Sequence, residues 1–220
     1  LYVVERTRAV QFNISYTMKR SPTVVFGEWA ELGRDEGMEK GHQQSVDEML
    51  SMVLKGRKQF SFIDAGCGNG WAVRQVAKHP ECVSATGVDG AQQMIDKALK
   101  SDPNNSYTCA DLSNWNPKTP VDIVHSMEVV YYLKDPFAFL QNVYDSWLNT
   151  GGVLIFGLDF YEENTVSHSW PEDCGVSTMQ LFSEGHWVGL LDDAGFSNVE
   201  SFRYGSKEGW AGTLILKGEK

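Results

Sequence analysis

The sequence predicts an α/β domain built as a three-layer sandwich: a mostly parallel seven-stranded sheet with an antiparallel last strand, helices on both faces, and an N-terminal helical lid. Three observations carry this prediction. From residue 60 onward, short β-rich runs alternate with helical patterns, the order of parallel βαβ units. One apolar run passes into three glycines at alternate positions and then into a helical pattern, an arrangement suited to the carboxyl end of a strand, where open α/β sheets bind ligands. The last two β-rich runs are joined by a short glycine-containing turn and so should pair antiparallel.

Taken in order, residues 60–64 form the first strand and 71–78 its helix. Residues 84–88 form the second strand, 91–99 the next helix and 106–110 the third strand. After a loop over 111–120, the buried run 121–126 makes the fourth strand, 136–148 a helix with Pro136 at its start, and 152–158 the fifth strand. Ser183 is placed to cap the last helix and Gly195 to end it, leaving 196–204 and 210–217 as the closing strands. Residues 1–58 precede this series as a helical extension, with helical stretches over 23–39 and 43–54. In the second of these, Val46, Met49, Leu50 and Val53 recur at helical spacing. The expected division is therefore a lid over 1–58, covering the mouth of a site, and a ligand-binding domain over 59–220. A chain of 220 residues supports one substantial core and is short for two.

Against 19 Lys and Arg stand 29 Asp and Glu, a net charge of −10, which repels phosphate backbones and anionic headgroups. The basic residues are scattered; their densest group, Lys55, Arg57 and Lys58, reads as a solvated helix end. Neither nucleic acid nor a membrane is expected as a partner. Cys67, Cys82, Cys109 and Cys174 show no CxxC pairing and no His-spaced ligand pattern, so neither a metal site nor a disulfide framework is expected, and a reducing cytoplasm fits best. No apolar run approaches the roughly 18 to 20 residues that span a bilayer, and the first residues lack the blocks of a signal peptide. The chain opens on Leu1 rather than Met, so an upstream address lies outside this reading, and oligomeric state is not legible.

The strongest chemical signal is Asp64-Ala65-Gly66-Cys67-Gly68-Asn69-Gly70. Without Cβ atoms the chain can turn tightly and let a ligand approach its backbone. The spacing is GxGxG rather than the GxGxxG of dinucleotide sites, and Asp64 would sit badly beside a pyrophosphate. A ligand carrying an ammonium group suits that acid better. The next strand ends in Gly87-Val88-Asp89, where a carboxylate can accept hydrogen bonds from both hydroxyls of a ribose; Asp89 also fits a helix cap. Asp111, after the third strand, could accept from an exocyclic adenine amine while Met94 or Leu112 packs on the ring. Taken alone, it reads as a turn residue.

Together, Asp64 to Gly70, Asp89, Asp111 and the strand Val121-Asp122-Ile123-Val124 resemble the ordered motifs of class I S-adenosylmethionine-dependent methyltransferases, in particular the small-molecule group. The resemblance implies that Asp64, Gly66, Cys67, Gly68, Asn69 and Gly70 hold the methionyl end of S-adenosyl-L-methionine. It implies that Asp89 and Gly90 hold the ribose, that Met94, Ala110, Asp111 and Leu112 border the adenine, and that Ser126 and Met127 pass beneath the sulfonium. Trp71 stands where the family commonly has a smaller residue.

The stretch His125 to Pro136 lacks the Asn-Pro-Pro-Tyr type of motif linked to amide or exocyclic-amine methylation. A small-molecule acceptor is therefore expected, attacked at O, N, S or C, by in-line displacement in which positioning dominates. For a hydroxyl or ammonium acceptor the candidate bases are Glu128, Tyr131 and His168; a thiolate or tertiary amine needs none. His125 reads equally well as a packed strand residue. Trp29, Arg34, Glu36, Glu39 and His42 form a polar cluster among glycines that suits a ligand-facing lid or a solvated helix. Tyr132 and Trp170 are the aromatic candidates for an acceptor wall. A protein or RNA side-chain methyltransferase and a non-catalytic S-adenosylmethionine-binding protein remain alternatives.

Overall fold

The computed structural model describes residues 18–220; the part of the expected lid before residue 18 lies outside the described residues. The chain runs α1 (Pro22–Glu31), α2 (Asp35–Leu54), β1 (Phe60–Ala65), α3 (Trp71–Val76), β2 (Cys82–Asp89), α4 (Gln92–Ser101), β3 (Ser106–Cys109) and β4 (Val121–Met127). It continues through α5 (Pro136–Asn142), β5 (Leu148–Leu158), α6 (Trp170–Asp173), α7 (Glu184–Asp193), β6 (Ser197–Tyr204) and β7 (Thr213–Glu219). The seven strands form one sheet in the order β3-β2-β1-β4-β5-β7-β6. Every pairing is parallel except those of β7, which runs antiparallel to both β5 and β6. Strand order reverses between β1 and β4, which places a crevice at their carboxyl ends.

Successive side chains of a strand face opposite sides, so each central strand feeds two cores. Ile63, Ala65, Val124, Leu154, Phe156 and Leu214 pack with α5 and α7 around Trp147 and Trp187. Phe60, Phe62, Ile123, Val153, Ile155 and Ile215 pack with α3 and with Val46, Met49, Leu50 and Val53 of α2. The second half of α2 is thus one of the helices that cover the sheet, while α1 lies over α4, with Ala30 against Ala91 and Met94. The two N-terminal helices break between Glu31 and Asp35, where Gly33 adopts φ +71°, rather than running over 23–39 and 43–54.

Three other expectations need correction. The helix expected over 136–148 is α-helical only to Asn142; Val143–Trp147 form a π turn, and Leu148 already opens β5. The π turn carries Val143 and Trp147 into the core, where both are fully buried, and the indole N–H of Trp147 donates to Asn116 Oδ1 at 3.1 Å. Gly151 and Gly152, which suggest a turn ahead of the fifth strand, lie inside an irregular section of β5: Leu148 pairs with Val121 before the register shifts to Ile123–Val153. The last strand starts at Thr213 rather than 210, because Trp210 exchanges backbone hydrogen bonds with Lys207 in a tight turn. The expected caps form: Ser183 accepts from His186 N–H, and Gly195, at φ +99°, follows the end of α7. Among the described residues no helix is long and apolar enough to cross a membrane.

Candidate active site

β1 ends in Asp64 and Ala65, and the chain then folds back over β2: the N–H groups of Gly66 and Cys67 both donate to Val88 O, at 2.7 and 3.1 Å. Gly66 has φ +80°, and a Cβ built on it would lie 2.2 Å from Val129 Cγ2, so the loop presents bare backbone by steric necessity. Asp89 at the tip of β2 clamps this loop. Its Oδ2 accepts from Gly68 N–H at 2.9 Å and its Oδ1 from Ala91 N–H at 2.8 Å. Burial raises the Asp89 carboxyl, and the two backbone donors oppose that rise. Each oxygen uses one lone pair in this clamp and keeps another for an incoming hydroxyl.

Beneath α2, the carboxyl ends of the central strands carry a tier of polar side chains. Asp64 of β1 accepts from His125 Nδ1 of β4 at 2.7 Å; His125 is 1% exposed, and its Nε2 has no partner. Asp35 at the start of α2 accepts from Asn69 Nδ2 at 2.9 Å and from Lys97 Nζ at 2.7 Å, which ties the helix to the glycine loop. Ser45 of α2 and Thr213 of β7 share a buried hydroxyl contact of 2.8 Å. A cavity opens between this tier and the loop; Met38, Glu39 and His42 line it from α2, Gly66, Cys67 and Gly68 from the loop, and Met127 and Glu128 from β4 and its end.

At that end, Glu128 sits at φ +59° and is 6% exposed. One carboxylate oxygen accepts from Asp159 N–H, the other from Tyr131 OH at 2.7 Å. His42 faces it from α2. Its Nδ1 donates to Met38 O at 2.8 Å, which turns Nε2 toward Asp159 Oδ2 at 3.4 Å. Ligand-type atoms of His42, Glu128 and Asp159 all lie within 4.8 Å of one another. Burial, then the charge of Asp159, pushes the Glu128 carboxyl up to about 8, against the pull of His42 and the two donors. Burial opposes the imidazolium of His42, but the hydrogen bond to Asp159 and the charges of Glu128 and Asp159 outweigh it and raise His42 to about 9. Burial also raises the phenols of Tyr131 and Tyr132.

These shifts make stability fall with rising pH. His42, raised from 6.5 to about 9, keeps its proton in the fold where the unfolded chain has lost it, so its stabilisation is complete below pH 6.5 and lost through pH 9. Glu128, raised from 4.5 to about 8, likewise binds its proton more tightly when folded, so its contribution is complete below pH 4.5, falls as pH rises toward 8 and levels off above it. The melting temperature should drop by roughly 5 °C between about pH 6 and pH 9. That drop should shrink by more than half in the Glu128→Gln, His42→Asn double variant; equal drops in both proteins would dismiss this cluster as the cause.

Residues 34–201 match the family model described as a methyltransferase domain. The chain belongs to that family. Among curated relatives, the methyltransferase domain is 32% identical over 105 residues to trans-aconitate 2-methyltransferase of Agrobacterium fabrum, a match covering 48% of this chain and 38% of that protein. It is 25% identical over 118 residues to malonyl-[acyl-carrier protein] O-methyltransferase 1 of Ilyobacter polytropus, covering 52% and 44%. The matched segments thus span less than half the length of these relatives. The complex between the Haloferax volcanii Trm112 methyltransferase activator and the putative methyltransferase contains a chain that superposes with a TM-score of 0.79 at 25% identity, over 91% of this chain and 98% of that one. The N-methyltransferase NodS of Bradyrhizobium japonicum, solved with S-adenosyl-L-homocysteine, gives 0.63 at 18% identity, over 81% and 86%. The architecture expected from the sequence, that of class I S-adenosylmethionine-dependent methyltransferases, is the one found.

Within the methyltransferase domain, Gly66, Cys67, Gly68 and Asn69 of the glycine loop, with Asp64, Met94 and Met127, border one crevice, and Asp89 is bonded to its wall at Gly68 N–H. Gly90 packs against Thr23, Ala110 N–H donates to Asp89 O at 3.0 Å, Leu112 is buried, and Ser126 OH donates to Ala65 O at 2.7 Å. Asp111 is exposed and accepts from Ser113 N–H at 2.9 Å, a side-chain turn. Glu39 and His42 line the cavity, whereas Arg34 lies over the Trp29 ring and Glu36 is exposed beside Lys97. Tyr131 and Tyr132 meet Glu128 through a chain of hydroxyls, and Tyr132 packs edge-on against Phe26. The structure does not bring His168 to this cluster: it is exposed, with Nε2 against Glu162 O at 3.0 Å. Trp170 stacks with Trp210 at 6.5 Å. Sequence reasoning missed Asp159, Asp35 and the pocket-facing role of His125. The position of Asp159 directly after β5 was the available signal for it.

Proposed function

We propose that this domain transfers the methyl group of S-adenosyl-L-methionine to a small-molecule acceptor by in-line displacement. The observation that carries this reading is the glycine loop held at the strand-order switch by Asp89, whose two oxygens each keep a lone pair for a ribose hydroxyl. The residues fit such a ligand in two further ways: a Cβ at Gly66 would fill the cradle, and the buried His125 Nε2 lacks a partner beside the loop. Asp64 with His125, Gly66, Cys67, Gly68, Asn69 and Gly70 would hold the methionyl end, Asp89 and Gly90 the ribose, and Met94, Ala110, Asp111 and Leu112 the adenine. Ser126 and Met127 would lie beneath the sulfonium, which supplies an activated methyl group when bound. The task of the chain is to align the acceptor and exclude water, and α2 closes the crevice for that purpose. Glu128 is placed to take a proton from an acceptor that carries one, with Tyr131 donating to it. A small-molecule acceptor is supported by the names of the curated relatives and by the acidic charge of the chain.

Isothermal calorimetry with S-adenosylmethionine, S-adenosylhomocysteine and NAD tests the cofactor. Uptake of the first two without the third is expected; folded protein that takes up neither sulfur compound would refute the reading.

A further inference from the structure

The chemistry of the acceptor can be taken further on the basis of that reading. Apart from its backbone and apolar walls, the cavity is lined by Asp35, Glu39, Asp64, Asn69 and Glu128, with His42 and His125 as its ionisable nitrogens; no Lys or Arg among the described residues lines it. Asp35 is paired with Lys97, and Asp64 accepts a hydrogen bond from His125. What remains at the acceptor end is the cluster of Glu128, Asp159 and His42: two buried carboxylates share one imidazole, and Asp159, 5% exposed, has an Oδ1 with no partner. A buried carboxylate oxygen without a donor is destabilising, more so when charged.

We infer that the acceptor is an amine that arrives as an ammonium and is seated by Glu128 and Asp159. An ammonium supplies the donor that Asp159 Oδ1 lacks, and its positive charge beside Glu128 favours the ionised form of that carboxyl. A carboxylate acceptor would have to leave water for a cavity in which carboxyl groups outnumber the one imidazolium, His42, and which offers it no guanidinium or ammonium, and like charges in such a place repel strongly. The chain therefore differs in acceptor from the relatives named for trans-aconitate and malonyl-[acyl-carrier protein]. Tyr131 donates to Glu128 and packs against Tyr132, with centroids 4.3 Å apart. The step balances without any other reactant. The ammonium N–H proton passes to the Glu128 carboxylate, and the freed nitrogen lone pair forms the C–N bond to the methyl carbon. The methyl C–S bond breaks, its electron pair stays on sulfur, and the positive charge moves from sulfur to the methylated nitrogen.

Methyl-tritiated S-adenosylmethionine and pairs of similar size test this: phenethylamine with phenylacetate, histamine with imidazole-4-acetate, and trans-aconitate as a further acid. Label should enter an amine more than about tenfold faster than its paired acid. In protein saturated with S-adenosylhomocysteine, calorimetry should detect an amine, and Glu128→Gln and Asp159→Asn should each weaken it about tenfold while leaving S-adenosylhomocysteine affinity within about threefold. Label in an acid at the rate of its amine overturns the inference. So does the failure of every amine either to accept label or to bind at about 10 mM, in protein that still takes up S-adenosylhomocysteine. Protein that takes up no S-adenosylhomocysteine fails the cofactor reading instead.

Discussion

Gly66→Ala is expected to abolish measurable S-adenosylhomocysteine uptake and to lower the melting temperature by roughly 5 to 15 °C. Two costs combine at this position. The residue sits at φ +80°, where a Cβ costs roughly 1 to 2 kcal/mol. The new Cβ would also stand 2.2, 2.7 and 2.9 Å from Cγ2, Cγ1 and Cβ of Val129. Because Cβ of Val129 is itself too close, rotating its side chain cannot relieve the contact; the backbone between β4 and the turn at Val130 must move, at a further cost of roughly 1 to 3 kcal/mol. That backbone carries Glu128 on one side and Tyr131 on the other, so the displacement reaches both ends of the crevice. Gly151→Ala separates the two contributions. Gly151 has φ +77°, but nothing lies within 4 Å of its added Cβ, so it reports the conformational cost alone and should lower the melting temperature by less than half as much. Equal losses in the two variants, or a Gly66→Ala protein that binds with wild-type affinity, would contradict this account.

The parts of the molecule that were legible in the sequence are those set by local pattern. Parallel strands buried on both faces appear as short, nearly continuous apolar runs, as in Ile123-Val124 and Val153-Leu154-Ile155-Phe156. Ser183 and Gly195 marked their helix because caps depend on a single residue type. The π turn at Val143–Trp147 escaped because its cause is distant in sequence: Trp147 is drawn into the core and held by Asn116 of the loop before β4. The same distinction divides the site. Asp64, the glycine loop and Asp89 lie at strand ends that pattern can locate. The sequence places His42 between two helical stretches, and it lies inside α2; its meeting with Glu128 depends on how α2 lies across β5, fixed by Val46, Met49, Leu50 and Val53 against the sheet. Asp159 was hidden for a related reason, since its neighbours come from β4 and α2, far away in sequence. His168 attracted notice only as a histidine in an aromatic loop.

Asp89→Ala is expected to weaken S-adenosylhomocysteine by about 100-fold or more. The carboxylate makes two charge-assisted bonds to backbone N–H groups and would make two more to the ribose, each worth about 1.5 to 3 kcal/mol. Alanine loses the ribose pair and leaves Gly68 N–H and Ala91 N–H without acceptors, so the loop loosens and α4 loses the anchor at its start. Asp89→Asn keeps one acceptor oxygen and the size of the side chain, and should fall between the two. A loosened loop and a lost ribose contact are distinguished with 2′-deoxy and 3′-deoxy forms of S-adenosylhomocysteine. If Asp89 touches the ribose, the wild-type protein should discriminate against the deoxy ligands by roughly tenfold, and the Ala variant should not. Undiminished discrimination in the Ala variant would restrict Asp89 to holding the loop and move ribose recognition to another group. Burial raises the Asp89 carboxyl, so the wild-type advantage depends on the ionised form and should decline as pH is lowered into the range where this carboxyl takes up its proton, while the Ala variant stays flat there.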